Sequence, residues 1–143
     1  MISKNHLALG IDIGTSGIRL TVLNKQKAIV FQSQANYSLG FEISNSWKNC
    51  CFKLIKEIPK EIKKSILACS ISGTSGTVLA CKKSGEAIGK AIPYYHFLKL
   101  NNKYIELKNH YRNDFNIYPS INKCFYLYDK YGENICIRSQ TDW

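Results

Sequence analysis

The chain has 143 residues, with 20 Lys and Arg against 10 Asp and Glu for a formal net charge of +10, and it is 45% hydrophobic and 12% aromatic. That length fits one domain with room for a core, and the apolar content excludes a disordered chain. No apolar run approaches the roughly 20 residues of a membrane span, and MISKNH leads straight into a strand without a signal-peptide pattern, so a cytoplasmic protein is expected.

Residues 7–23, LALGIDIGTSGIRLTVL, hold the densest information. Leu7, Leu9, Ile11 and Ile13 alternate with Ala8, Gly10 and Asp12, the period of two that marks a strand. Ile18, Leu20 and Val22 alternate with Arg19 and Thr21, so a second strand follows at once and the pair reads as a hairpin. The turn is Gly14-Thr15-Ser16-Gly17. Its glycines permit backbone angles closed to other residues and leave no Cβ in a ligand's way, while the hydroxyls add donors beside exposed amides, a combination suited to phosphate oxygens. Asp12 at the strand end has the chemistry to hold a divalent cation, because magnesium takes one or two carboxylates and keeps several waters. The same residues also make turns in sheets that bind nothing. The turn is neither a Walker A loop, which needs a following Lys, nor a dinucleotide GxGxxG opening a helix.

A third strand over 28–35 is predicted, with Ile29, Phe31 and Ala35 on one face, so an antiparallel three-strand meander opens the domain. Ser44 and Ser46 are candidate caps for a helix whose stripe is Trp47, Cys50, Cys51, Leu54, Ile55 and Ile58, and Pro59 ends it. Residues 60–64 are charged and exposed. A buried fourth strand over 66–71, parallel to the first if the helix is a crossover, leads into a second Gly-Thr-Ser-Gly at 73–76. This copy lacks an acid, with Ser70 standing for Asp12 and Ser72 following. Strands over 77–81 and 87–92 come next. Leu100, Tyr104, Leu107 and Tyr111 are spaced as a helix capped by Asn101 or Asn102. Ser120 caps another, with Ile121, Cys124, Phe125, Tyr128 and Tyr131 inward and Gly132 as its stop.

The charge invites a nucleic-acid reading, but only Arg19, Arg112 and Arg138 are Arg and the lysines are scattered, which describes a solvated surface better than a dedicated site. The six cysteines have no CxxC and no His at zinc spacing, so they read as reduced, buried hydrophobes.

GIDIGTSGIRLTVLN resembles the first phosphate motif of the FGGY carbohydrate kinases, members of the actin-like, ribonuclease-H-like ATPase superfamily. ISGTSGTVLACKKSGEAIGKAIPYYH resembles the family's sugar-site segment, with wording most like the plant and cyanobacterial branch of xylulose or ribulose kinases, and SQTDW resembles a later point of the same order. The resemblance implies an α/β ribonuclease-H-like fold, with residues 1–143 as a partial amino-terminal domain and no carboxy-terminal domain. It implies ATP and Mg2+ as cofactors and phosphoryl transfer to a pentulose or polyol. Gly14, Thr15, Ser16, Gly17 and Arg19 would bind phosphate, Asp12 the metal, and Thr74, Ser75, Gly76 and His96 the sugar. The family's acid before the second copy is Ser72 here, and its aromatic-x-Asp is Tyr94-Tyr95-His96. The catalytic base and the adenine-binding domain lie beyond the matched part, so an isolated chain is expected to be inactive. It is expected to self-associate or to pair with a kinase remainder. A binding or regulatory module is the alternative.

Overall fold

The computed structural model describes residues 6–99, Tyr104 and 119–143, and divides into two compact units, Met1–Gly73 and Thr74–Trp143. The first unit holds β1 (Leu7–Ile13), β2 (Gly17–Leu23), β3 (Ile29–Asn36), α1 (Ser44–Glu57), α2 (Lys60–Ser65) and β4 (Ile66–Gly73). They form one mixed sheet in the order β3-β2-β1-β4, with the first three strands antiparallel and β4 parallel to β1. The expected meander is present. The alternation in β1 and β2 resolves as predicted, with Leu9, Ile11, Ile18, Leu20 and Val22 buried along with Trp47, Cys50 and Leu54 of α1. Burial of each such aliphatic side chain contributes about 1.5–3 kcal/mol, so this layer dominates the stability of the unit.

Four details of this unit differ from the sequence expectation. Ser44 and Ser46 lie inside the first turn of α1 and do not cap it; Ile43 stands at the cap, with no side-chain bond. Pro59 ends α1 as expected, with Ile58 turned to an extended conformation, but 60–65 then form the short helix α2. Ile29 is exposed, because only Phe31, Ser33 and Ala35 of β3 are partly covered. The fourth strand is not buried: β4 is an edge strand, exposed along most of its length, and Cys69 on it is exposed too.

The second unit holds β5 (Val78–Cys81), β6 (Ala87–Ile92), α3 (Pro119–Tyr131) and β7 (Cys136–Ser139), with the antiparallel order β6-β5-β7. Val78, Ala80, Ile92 and Leu127 form its core, joined by Ile88, Leu98, Tyr131, Ile135 and Ile137. Here α3 begins at Pro119, so Ser120 lies within it, and its most buried side chains are Lys123 and Leu127, with Tyr128 on the outside. β7 and the bond from Trp143 Nε1 to the Gly85 carbonyl at 2.9 Å give the last residues a packed place the sequence did not suggest. Of the predicted helix near 100–111 only Tyr104 is described; it stacks on Phe125 at 4.0 Å and its hydroxyl bonds Asp129. Leu100, Leu107, Tyr111 and both asparagine caps lie outside the described residues.

Candidate functional site

The sheet of the first unit has one face under α1 and one face lined by small and polar residues. Residues directly opposite one another in a sheet project from the same face. The register therefore sets Asp12 between Arg19 on β2 and Ser72 on β4, and Gly10 between Thr21 and Ser70. Ser72, rather than Ser70, is the neighbour of Asp12. Sequence reasoning placed no serine of β4 in this site, and the repeat itself misleads: superposing the two Gly-Thr-Ser-Gly copies sets Asp12 against Ile71, whereas the observed register is one residue further on, at Ser72.

Asp12 does not face packed hydrocarbon. Its side chain is 50% exposed, and Arg19 Nε lies 3.6 Å from its Oδ2 with the arginine 63% exposed. A pair so open to water is worth at most about 1 kcal/mol and parts readily. One accessible carboxylate beside the Ser72 hydroxyl position is compatible with magnesium, which takes one or two carboxylates and keeps several waters.

The turn beyond β1 is built differently from the expectation. Neither Gly14 nor Gly17 takes a positive φ. Gly17 is required by space, since a Cβ there would lie 2.2 Å from the Ala35 carbonyl oxygen on β3. Gly14 is not required by the chain: a Cβ would meet Gly17 O at 3.4 Å and Arg19 Nη2 at 3.8 Å, ordinary contacts. The Gly14 amide donates to Gly17 O at 3.0 Å, and the Ser16 carbonyl accepts from the Tyr37 amide at 3.0 Å. The Tyr37 hydroxyl donates to Gly14 O at 2.7 Å, a brace absent from the sequence reading. Burial, reinforced by the nearby Cys50 and Asp12, pushes the Tyr37 phenol well above its ordinary value. Thr15 and Ser16 are exposed residues at the tip, and their amides donate to no protein group among the described residues. The hairpin thus combines a carboxylate, a guanidinium and two open amides, which suits a metal-associated polyanion.

In the second unit the repeated tetrapeptide serves another purpose. It does not close a hairpin but carries the chain from β4 into β5 of a separate sheet. The Thr74 amide and hydroxyl both donate to Gln140 Oε1 at 2.8 Å, and Thr74 Oγ1 lies 2.7 Å from Thr77 Oγ1. Thr74 is therefore engaged within the protein. Gly76 has φ +80 and its carbonyl accepts from Lys123 Nζ at 2.8 Å. That lysine is fully buried and also donates to Pro93 O at 2.6 Å and Tyr94 O at 3.1 Å. Burial pushes its ammonium below the usual lysine value. Ser75 is exposed at the turn, while His96 closes the Pro93 turn through its amide and sits edge-on to Tyr95 at 5.0 Å. No cluster of three or more His, Cys, Asp or Glu suited to a metal occurs among the described residues.

No family model matches the sequence. In three dimensions 95% of the chain matches 33% of the Plasmodium falciparum glycerol kinase crystallised with ADP, at TM-score 0.69 and 17% identity. A xylulose kinase from Brucella ovis matches 96% of the chain over 33% of its own, at TM-score 0.75 and 16% identity. The fold is that of the sugar kinases. The chain spans about a third of the length of the kinase chains it matches. The mixed sheet with its opening meander agrees with that fold, and no described helix is long and apolar enough to cross a membrane.

Proposed function

We propose that this chain is the nucleotide-phosphate end of an ATP-dependent carbohydrate kinase of the FGGY type, working on a pentulose or polyol in the cytoplasm, and inactive without a remainder that supplies a base and an adenine site. The observation that carries this reading is Asp12, half exposed at a strand end, with the open Thr15 and Ser16 amides and Arg19 beside it. Magnesium, when bound, would neutralise charge on the phosphates. Asp12 would hold it, directly or through water. Thr15 and Ser16 would donate to phosphate oxygens, Gly14 would leave room for their approach, and Arg19 would swing from Asp12 to the anion. Gly17 keeps β3 close enough for Tyr37 to brace the turn.

The sugar would lie against the Ser75–Gly76 turn and His96. Thr74 supports that turn from beneath, through Gln140, and Lys123 ties it to the Pro93 turn. Phosphoryl transfer depends on positioning and charge stabilisation, so a chain offering only the phosphate cradle should bind without turnover.

The test is binding of ATP with magnesium to the purified chain, followed by amide chemical shifts. The Thr15 and Ser16 amides are expected to shift, and Asp12→Asn to weaken binding by about tenfold, the equivalent of about 1.4 kcal/mol. Shifts confined to other residues, or equal affinity in Asp12→Asn, would overturn the reading.

A further inference from the structure

Cys81 is the last residue of β5 and Cys136 the first of β7, and the register sets them directly opposite one another. Opposite residues in a sheet project from the same face, so the two thiols are neighbours. Their spacing follows from the ladder. The Gln140 amide donates to the Thr77 carbonyl at 3.2 Å, which makes 77 and 140 a hydrogen-bonded pair. Bonded and non-bonded pairs alternate along antiparallel strands, so 81 and 136 are again a bonded pair, with Cα atoms about 5.5 Å apart. Disulfides span Cα separations of about 4.4–6.8 Å. No other two cysteines share a rung among the described residues: Cys50 and Cys51 lie on α1, Cys124 on α3, and Cys69 opposite Leu9.

We propose that Cys81 and Cys136 are a reversible redox latch, closing to a disulfide by exchange with a low-molecular-weight disulfide such as oxidised glutathione and clasping β5 to β7. Cys136 is partly exposed and Cys81 fully buried, so Cys136 takes the first step. Its thiolate attacks one sulfur of the small disulfide, releasing one small thiolate and leaving a mixed disulfide on Cys136. The Cys81 thiolate then attacks Cys136 Sγ, closing the protein bond and releasing the second small thiolate. The two cysteine protons pass to those thiolates, so the protein pair loses two electrons and the small disulfide gains them. Arg138 stands two residues along β7 from Cys136, on the same face. Burial pushes the Cys81 thiol up, and this guanidinium opposes the effect, favouring the thiolate that the second step uses.

The latch is also able to reopen. Cβ atoms of a bonded pair stand about 5.5 Å apart and a disulfide holds them at about 3.5–4.5 Å, so closure draws the strands together by about 1 Å. The last rung is where they can yield, because the chain leaves β5 at once through a turn closed from the Gly85 amide to the Lys82 carbonyl. A bond held under such tension is reduced more easily than a structural one. At its other end β7 leads into Gln140, whose Oε1 holds the Thr74 amide and hydroxyl, so clasping β7 onto β5 also steadies the turn before β5.

The inference stands apart from the nucleotide reading, since it needs neither Asp12 nor the hairpin tip. Its test is incubation of the full chain with oxidised glutathione, alkylation of the remaining thiols and peptide mapping by mass spectrometry. A cross-link between Cys81 and Cys136 that dithiothreitol removes is expected, with slower amide exchange at Leu79 and Arg138 and a melting midpoint raised by about 5 °C or more. Cys136→Ser, a near-isosteric change at a partly exposed position, should leave the reduced midpoint within about 2 °C and abolish both the cross-link and the shift. Glutathione that stays on Cys136 without transfer to Cys81 would overturn the proposal. So would two thiols that remain open to alkylation throughout, a cross-link to a different cysteine in its place, or a cross-linked chain that melts no higher than the reduced one.

Discussion

Replacing Gly17 by alanine separates the glycine the fold needs from the one it does not. The new Cβ would lie 2.2 Å from Ala35 O, 2.8 Å from Asn36 Cα and 3.0 Å from Ala35 C, all backbone atoms of β3. Ordinary contact begins near 3.4 Å, so β3 must retreat by about 1 Å. Overpacking of this kind costs about 1–3 kcal/mol. The retreat also strains the bond from the Tyr37 amide to Ser16 O, worth about 1 kcal/mol. Against this, alanine restricts the unfolded chain and returns about 0.4–1 kcal/mol. The net loss is about 2 kcal/mol, which lowers the urea midpoint by about 1 M for a chain of this size. Trp47, 2% exposed beside the sheet, reports the transition through its fluorescence. Gly14→Ala, meeting only ordinary contacts, should change stability by no more than about 0.5 kcal/mol yet weaken ATP binding. Equal urea midpoints for Gly17→Ala and wild type would refute the spatial argument.

Asp12→Asn, which should weaken nucleotide binding, is expected to alter stability by less than about 1 kcal/mol, because its pair with Arg19 is exposed; thermal denaturation without ligand checks this. Lys123→Met should destabilise by about 1–3 kcal/mol, since one buried and two partly buried carbonyls lose their donor, and urea unfolding would show it. Tyr37 gives a pH signature. Its folded pKa is raised, so above about pH 10, the ordinary tyrosine value, the unfolded chain releases its proton while the folded hairpin keeps it. Stability contributed by Tyr37 is therefore complete below that pH and lost as pH rises through the folded value. Tyr37→Phe should show a shallower alkaline decline in melting temperature, at a cost of about 1 kcal/mol near neutrality from the lost bond to Gly14 O.

The first hairpin was legible because its register, its turn and its buried face all follow from local alternation. The α1 stripe was legible for the same reason, and Pro59 marked its end. Failures came where a tertiary neighbour decides. The run at 66–71 is apolar enough to read as buried, but burial depends on what lies beside the strand, and nothing in those residues tells an interior strand from an edge. Lys123 was passed over because lysine is ordinarily a surface residue; its burial depends on three carbonyls contributed by segments 29 to 47 residues away. The need for Gly17 was recognised and its cause was not, since the crowding comes from β3 rather than from a backbone angle. Gln140 beneath Thr74 had no local signal, being 66 residues distant.

The ammonium of Lys123 has three protons and meets three carbonyl oxygens, so every hydrogen it carries is committed. An apolar contact tolerates sliding; this tether does so less readily, because releasing any one carbonyl leaves one N–H of a buried ammonium without its acceptor. Displacement of α3 must drag the segments at Gly76 and at Pro93–Tyr94 with it. The aromatic run that follows Pro93 is thereby geared to a helix distant in sequence, and a ligand that pushed on one would be felt by the other.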